Sequence, residues 1–293
     1  MGEHDILAQQ FEEHRAHLCG VAYRMLGSLS EAEDAVQESW LRLSRSDAGG
    51  VENLRGWLTT VVARVCLDML RSRKSRREEP LEAPGSEAGA VAHHAPDPET
   101  EAMLADSVGL ATLVVLDRLK PAERLAFVLH DLFDIPFDEI ARIAGRTSES
   151  VRQLASRARR RVRGVTQVSN PAIAEQRLVV DAFLTALRAG DTDKLVTLMT
   201  PDFAVAADRA AAGAVPSGVH GAEAWAKLAV QTAKGARYAR PVLIDGVVGV
   251  VIAPRGRLFR VLRFAFAEGR IAHIDVIADP ATLEKLDLAA FGE

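Results

Sequence analysis

The chain has 293 residues, of which 48% are hydrophobic and 26% charged, a composition typical of a globular protein in water. This length indicates two or three domains. The net charge of −4 excludes a general attraction to nucleic acid, although local basic clusters still bind anionic polymers. We recognise no signal peptide and no apolar run long enough for a membrane span, so we expect a cytoplasmic protein. Cys19 and Cys66 lie far apart in apolar-periodic segments, which indicates buried thiols and no metal site.

The first block, residues 1–77, has apolar residues at helical spacing and reads as a helical domain. Ser30, with Glu33 three positions on, predicts the capped start of a second helix. A third helix is predicted to begin near Asn53. It ends in a basic run, Arg71–Arg77.

Residues 78–106 differ sharply from the block before them. They contain no Lys or Arg, and acidic residues accumulate among Pro, Gly, Ala and Ser. Such a segment buries too little apolar surface to fold alone, so we expect an acidic, flexible linker.

A second helical block covers residues 107–164. Pro121 and Pro136 are each predicted to start a helix. Gly145 permits a tight turn after the second of these helices, and Thr147 or Ser148 caps the next one. This is the outline of a helix-turn-helix, whose second helix enters the major groove of DNA.

The second helix of this motif carries two sets of candidate DNA contacts. Near its exposed start, side chains suited to reading base edges are Arg146, Thr147, Ser148, Glu149, Ser150, Arg152 and Gln153. Farther along, Arg157 and Arg160 suit phosphates. The alternative is a solvated basic helix that packs on its neighbours.

The basic third helix of the first block carries another candidate DNA surface. It combines stacking, hydrogen-bonding and cationic side chains at Asn53, Trp57, Arg64, Arg71, Arg73 and Lys74. That combination suits partly melted, single-stranded DNA. The alternative is an ordinary solvated charged face.

The last block, residues 172–293, has a different pattern of predicted secondary structure. Helices are predicted at Ala172–Ala189, Asp193–Met199 and Gly221–Lys234. Strands are predicted at Ala239–Ile244, Val247–Ala253, Leu258–Ala267 and Ile271–Ile277. Helices followed by a meander of strands indicate an α+β domain with a curled antiparallel sheet.

Three motifs in the first two blocks resemble bacterial sigma factors. Glu31-Ala-Glu-Asp-Ala-Val-Gln-Glu-Ser-Trp-Leu-Arg42 is similar to the helix that grips the RNA polymerase β′ clamp. Asn53-Leu-Arg-Gly-Trp-Leu58 and the long helix after it resemble the part that reads the minus-10 promoter element. The block from Pro121 to Arg163 resembles the domain that reads the minus-35 element. Their order over residues 6–163 points to the extracytoplasmic-function (ECF) group.

The resemblance implies a role for each set of residues. RNA polymerase core is expected to bind Asp34, Gln37, Glu38 and Trp40. The alternative for this helix is a capped helix with Trp40 in the core, and Trp40 is expected to combine both roles. The third helix would contact the minus-10 element, with Asn53 as the best candidate for a flipped base, and the helix-turn-helix would contact the minus-35 element.

Residues 182–203 resemble the opening of SnoaL-like domains, which are cone-shaped α+β folds with an apolar pocket. The whole arrangement is similar to SigJ-like ECF factors. Three motifs that are usual in that subgroup differ in this chain. The motif in the linker is missing, Asp208-Arg-Ala-Ala-Ala-Gly213 replaces the one after the first strand, and Asp279-Pro-Ala-Thr-Leu283 replaces the one near the end. Residues expected at the pocket or between domains are Asp208, His220, Tyr238 and Asp279.

The fold class that follows is multidomain. Two all-α sigma domains, the second with a helix-turn-helix, precede a C-terminal α+β SnoaL-like cone with a curved antiparallel sheet. We expect a sigma factor modulated in cis by the cone, with polymerase core and promoter DNA as partners and no membrane contact. The resemblance leaves room for an unidentified small ligand in the cone, and no cofactor is expected.

Catalysis by the cone is a weaker hypothesis. An acid/base pair in an apolar cone suits cyclase or isomerase chemistry, and His273 and Asp275 are polar candidates beside the pocket residues. No motif fixes their geometry, so we expect no enzyme activity. The alternative function is a DNA-binding repressor fused to a small-molecule-binding or cyclase-type domain.

Overall fold

A computed structural model describes residues 3–45, 53–78, 109–163, 171–212, 221–254 and 257–291. The chain folds as two compact units. The first comprises Met1–Val108 and Leu116–Ala158, and the second comprises Gly109–Val115 and Arg159–Glu293.

Three long helices open the first unit: α1 (Glu3–Leu26), α2 (Leu29–Arg45) and α3 (Leu54–Glu78). They pack on one another through buried apolar side chains. The start predicted for α2 at Ser30 is wrong, because the Ser28 carbonyl already accepts a helical hydrogen bond from Ala32 N–H. The sequence also predicts a loop at Ser44–Gly50 and the linker from Glu78, but Ser44 and Arg45 belong to α2 and Glu78 belongs to α3. Residues 46–52, 79–108 and 164–170 lie outside the described part of the chain.

The helix-turn-helix region follows the predicted pattern. Its helices are α4 (Leu110–Asp117), α5 (Pro121–Phe127), α6 (Phe137–Ala144) and α7 (Ser148–Arg163). Pro121 is the first residue of α5, and Pro136 directly precedes α6. Between them, Val128–Leu132 forms one turn of π-helix that the sequence pattern did not predict.

The second unit contains the α+β domain. Its helices are α8 (Pro171–Ala189), α9 (Thr192–Thr197), α10 (Ala222–Thr232) and α11 (Pro280–Leu283), with a 3-10 segment at Ala233–Tyr238. Its strands are β1 (Met199–Ala207), β2 (Ala239–Ile244), β3 (Val247–Ile252), β4 (Arg260–Ala267), β5 (Arg270–Ile277) and β6 (Leu288–Ala289).

The six strands form one sheet in the order β1-β5-β4-β3-β2-β6. The predicted antiparallel meander from β2 to β5 is confirmed. The sheet as a whole is mixed, however, because β1 pairs parallel with β5. The sequence pattern places a helix at Asp193–Met199, whereas α9 ends at Thr197 and Met199 already begins β1.

Aromatic side chains fill the space between the helices and one face of this sheet. The Trp225 ring lies 5.1 Å from Phe203 and 6.1 Å from Phe183, and Phe183 lies 5.6 Å from Phe264. On the strands, Gly249 permits a close cross-strand approach, because an added Cβ would meet Ile244 Cδ1 at 2.1 Å. This aromatic cluster lies on one face of the sheet, and Val242, Val251 and Val261 are buried on the other face.

Candidate nucleic-acid and protein interfaces

The turn between α6 and α7 has the geometry that a helix-turn-helix requires. Gly145 ends α6 at φ 65° and ψ 42°, a left-handed conformation that glycine adopts without strain. Thr147 Oγ1 accepts a hydrogen bond of 3.2 Å from Ser150 N–H and caps the start of α7. Ser148 Oγ donates to the Asp138 carboxylate on α6. Local contacts therefore fix the start of α7 on α6.

The recognition helix α7 buries one side and exposes the other. Val151, Leu154 and Ala155 are buried. Of the predicted base-reading residues, Arg146, Thr147, Glu149, Arg152 and Gln153 are exposed, and Ser148 and Ser150 are half-buried. The structure thus places the predicted set on one accessible surface.

The longer side chains of this surface contact one another. Gln153 Nε2 donates to Glu149 Oε1 at 3.4 Å, and an Arg152 nitrogen lies 3.8 Å from Glu149 Oε2. The Arg152 guanidinium also lies 5.7 Å from the centre of the Phe137 ring. Exposed pairs of this kind contribute only about 0–1 kcal/mol, so DNA can replace them at small cost.

Arg157 and Arg160, the two predicted phosphate contacts, have different surroundings. Arg160 is exposed. Arg157 Nε lies 3.6 Å from Glu123 Oε1, and Glu123 is only 3% exposed. A buried carboxylate needs a nearby cation, so Arg157 also neutralises the interior of its own domain.

Predicted minus-10 residues share one stripe of α3. Asn53, Trp57, Arg64 and Arg71 follow each other at intervals of four or seven residues, which places them on one helical face. Asn53 is exposed at the start of the helix, where its Oδ1 accepts from Gly56 N–H at 3.0 Å. Arg71 is exposed, and its nearest carboxylate oxygen, on Asp68, is 3.8 Å away.

Arg73 lies off that stripe and is used inside its domain. Its guanidinium is ion-paired with Glu31 on α2 and donates to the Leu26 carbonyl at 3.3 Å. The side chain is 22% exposed. Arg73 therefore connects the ends of the three first helices. Lys74, the remaining candidate, is in α3, but its side chain lies outside the described part of the structure.

The predicted polymerase contact is a face of α2. Asp34 and Gln37 are exposed, and Glu38 accepts from Arg42 Nε at 2.9 Å. Trp40 is half-buried, and its ring lies 5.1 Å from Phe11 of α1. Trp40 thus packs on its own domain and remains partly exposed.

A groove borders this face on each side. One lies between α2 and α3 and is lined by Asp34 and Glu38. The other lies between α1 and α2 and is lined by Gln37 and Trp40. The four candidates therefore form a ridge of polar groups around an aromatic ring.

The C-terminal candidates do not form one site. The Asp208 carboxylate accepts backbone N–H groups of Ala211, Ala278 and Asp279, each at 2.8 Å. Asp279 in turn caps α11 by accepting from Thr282 N–H at 2.8 Å. Tyr238 precedes β2, and three strands separate β2 from β1, which leads to Asp208. His220 lies outside the described residues.

Partial burial would raise the pKa of Asp208, but hydrogen bonds from the backbone outweigh it and hold the pKa below its usual value. Through these hydrogen bonds the Asp208 carboxylate joins the turn after β1 to the residues that follow β5. Asp208 is therefore a turn residue and Asp279 a helix cap.

His273 and Asp275 face away from the aromatic core. Ile274 and Val276, the alternate residues of β5, point into the core. His273 Nε2 lies 3.0 Å from Asp275 Oδ1, and both side chains are more than a third exposed. The acid/base pair considered for catalysis thus lies on the sheet face opposite the core.

Comparison with known proteins agrees with this geometry. A family profile described as "Sigma-70 region 2" matches residues 10–76, and one described as "Sigma-70, region 4" matches residues 110–162. Over 290 residues, 98% of each chain, the protein is 35% identical to "Probable ECF RNA polymerase sigma factor SigI" of Mycobacterium tuberculosis. The chain belongs to the ECF RNA polymerase sigma factors. Like them it directs promoter-dependent initiation of transcription.

A second relative of this sigma factor is "ECF RNA polymerase sigma factor SigJ" of Mycobacterium tuberculosis, 42% identical over 203 residues, 68% of this chain and 64% of that protein. The crystal structure of that factor aligns with a TM-score of 0.43 and 30% identity, covering 94% of this chain and 98% of the other. Every helix within the described ranges falls short of what a membrane crossing needs. Among the same residues, no three His, Cys, Asp or Glu side chains are grouped to hold a metal.

Three residues of this sigma factor are more important than the sequence pattern indicated. Arg124 is 1% exposed and Glu123 is 3% exposed, so two adjacent charged residues are buried in α5. Phe133 lies between the π-helical turn and α6 and contacts α1. Helical periodicity marks only apolar core positions, so it gave no signal for the buried charges.

Proposed function

We propose that four segments of this sigma factor divide the work of promoter recognition. Residues 1–77 bind core polymerase and the minus-10 element, and 107–164 bind the minus-35 element. Residues 78–106 connect these domains, and 172–293 regulate them in cis. This places the protein in the cytoplasm, where its polymerase works.

The observation that carries this proposal is the exposed ridge on α2. It lies in the same chain as the two surfaces proposed to bind DNA, the stripe on α3 and the exposed side of α7. Asp34 and Gln37 are accessible, and the half-buried Trp40 ring provides a rigid aromatic anchor. A DNA-binding repressor has no use for such a ridge. A sigma factor needs it, because its DNA contacts act only after it joins polymerase.

Contacts at the end of α7 support regulation in cis. The Val162 carbonyl is among the last in α7, and these carbonyls lack partners inside a helix. It accepts a hydrogen bond of 2.8 Å from Ala290 N–H, directly after β6. The next residue, Phe291, contacts α8, because the centre of its ring lies 4.2 Å from the Arg177 guanidinium. The C-terminal domain thus secures the last turn of the helix proposed to read the minus-35 element.

Run-off transcription with purified core polymerase tests the proposal. The full chain should give promoter-dependent transcripts, and Asp34→Ala with Gln37→Ala should abolish them without changing the fold. Glu13→Ala, an exposed change on α1 that lines neither groove beside the ridge, is the matched control. No transcript from either the full chain or residues 1–170 would refute the sigma assignment.

Cutting the chain after Gly164 tests regulation. Because the cut removes the Ala290 hydrogen bond, transcript yield should change strongly relative to the full chain. Equal yields would make the C-terminal domain a passenger. A gel shift with and without core then excludes the repressor alternative if tight binding requires core.

A further inference from the structure

Two stacked rings lie beside the start of the recognition helix. The His130 ring stacks on the Phe137 ring with 3.8 Å between their centres and 30° between their planes. The Arg152 guanidinium of α7 lies over the same Phe137 ring, 5.7 Å from its centre. Phe137 is the first residue of α6, so its ring connects the supporting helix of the motif with a side chain proposed to read bases.

The π-helical turn Val128–Leu132 places His130 against Phe137. His130 Nδ1 lies 3.1 Å from the Ile135 carbonyl, and since a carbonyl oxygen only accepts, Nδ1 carries the hydrogen and donates it. The Ile135 N–H in turn donates to the Leu129 carbonyl at 2.9 Å. These hydrogen bonds fix the loop that leads into α6 and keep the imidazole ring on Phe137. Such turns often occur at functional positions.

The contact with Phe137 leaves the hydrogen-bond donors of Arg152 available. A guanidinium is planar, and its five N–H groups lie in that plane. An aromatic ring attracts a cation over its face, whereas a guanine base binds the N–H groups at the guanidinium edge. Arg152 can therefore keep its place over Phe137 while it binds a base.

The ion pair of Arg152 with Glu149 differs in this respect. The Glu149 carboxylate lies 3.8 Å from an Arg152 nitrogen and attracts the same N–H groups that a base would bind. Both side chains are more than half exposed, so the pair is weak and a base can displace it. Of these two contacts, the one with Phe137 is the one that can persist on DNA.

A contact that restricts Arg152 in advance favours binding. An arginine side chain on a helix surface has many rotamers, and the loss of these rotamers opposes binding. The Arg152 side chain is still 57% exposed. Phe137 thus orients the guanidinium without removing it from solvent.

We propose that Phe137 is a positioning residue for promoter reading, which orients the Arg152 guanidinium toward one base of the minus-35 element, and that His130 supports its ring. This role rests on the proposed function, in which α7 reads that element. Base preference at the position that Arg152 contacts is then determined by two residues outside α7 as well as by Arg152 itself.

Competition binding of holoenzyme to promoter DNAs that differ at single minus-35 positions tests this role. Arg152→Ala should lose about 5- to 150-fold of discrimination at one position, which identifies the base that Arg152 reads. Phe137→Leu keeps an apolar side chain without a ring, and it should lose about two- to fivefold at that same position. Phe137→Tyr keeps the ring and should retain the wild-type preference.

Further variants separate positioning from a loss of stability. Phe137→Leu should have no additional effect on base preference when Arg152 is already replaced by alanine, because the two residues act through one contact. Ile143→Val, a change at a buried position of α6, should lower Tm and leave base preference unchanged. Phe137→Met is a second variant without a ring and replaces Phe137→Leu if that variant unfolds.

The contact itself can be measured without DNA. In NMR spectra of the free full-length chain, the Phe137 ring current should shift the side-chain resonances of Arg152. These resonances should move in Phe137→Leu and stay close to their wild-type positions in Phe137→Tyr.

Full discrimination at the Arg152 position in both variants that lack the ring, or unchanged Arg152 resonances in them, would overturn the positioning role. In that case the loss of discrimination in Arg152→Ala would still support the proposed function. Unchanged preference of Arg152→Ala at every minus-35 position would instead refute the reading of that element by α7, and the role of Phe137 with it.

Discussion

Arg71 and Arg73 lie two residues apart on α3, yet the structure assigns them different work. Arg71 is exposed at 53%, and its ion pair with the exposed Asp68, at 3.8 Å, contributes little because solvent screens it. Arg73 is 22% exposed and binds both Glu31 and the Leu26 carbonyl. Replacing each with alanine should therefore damage different properties of the protein.

The magnitude for Arg73→Ala follows from the two contacts it loses. A hydrogen bond to a charged group contributes about 1.5–3 kcal/mol, and a partly exposed ion pair up to about 1 kcal/mol. Allowing for solvent screening, we expect a loss of about 2 kcal/mol. In a unit of roughly 150 residues this lowers Tm by about 4–8 °C.

The magnitude for Arg71→Ala follows from counterion release. An exposed cation that contacts one phosphate contributes about one unit to the slope of log K against log salt. Arg71→Ala should lower that slope by about one, weaken holoenzyme binding to promoter DNA and leave Tm unchanged.

Calorimetry and salt-dependent DNA-binding titrations on both variants test this assignment. Glu31→Ala and the double variant complete a thermodynamic cycle, which should give a coupling energy of about 1 kcal/mol between Arg73 and Glu31. If Arg73→Ala reduced the salt slope and left Tm unchanged, our account of its role would be wrong.

Three further predictions concern other parts of the chain. Gln153→Ala should relax base preference at one minus-35 position by about 1–3 kcal/mol in competition binding, whereas Arg160→Ala should weaken all sequences alike. The pKa of Asp208 is lower in the folded protein than its unfolded value of about 3.9, so the ionised carboxylate stabilises the fold above that pH. This stabilisation is lost as the pH falls through the folded pKa. The free energy of unfolding in urea should therefore fall over this pH range in the wild type, and the part due to Asp208 should be missing in Asp208→Ala. Burial raises the pKa of the Cys66 thiol to about 12, so a thiol reagent should modify Cys19 but not Cys66 until the protein unfolds. Equal modification rates of the two thiols in the folded protein would contradict the burial of Cys66.

Local sequence signals predicted the helix-turn-helix well. A proline at the start of α5, a glycine in the left-handed conformation at Gly145 and a capping threonine at Thr147 each act within a few residues. The hairpin between β4 and β5 was predictable for the same reason, since Glu268-Gly269 forms its turn with φ of 52° and 71°.

Distant contacts were not predictable from these signals. The parallel pairing of β1 with β5 joins segments about 70 residues apart, and no local pattern announces it. Likewise, a basic run does not reveal that Arg73 turns inward while Arg71 remains in solvent. The stripe on α3 was predictable from spacing, but the hydrogen bond from Arg64 to the Arg142 carbonyl of α6 depends on tertiary packing.

The hydrogen bond from Ala290 to Val162 also has a consequence for biosynthesis. The ribosome makes Val162 about 130 residues before Ala290, a delay of about 6–26 s at about 5–20 residues per second. Until then, the last turn of α7 lacks this partner. Prematurely terminated chains never acquire it, so the final residues give finished molecules a property that truncated products lack.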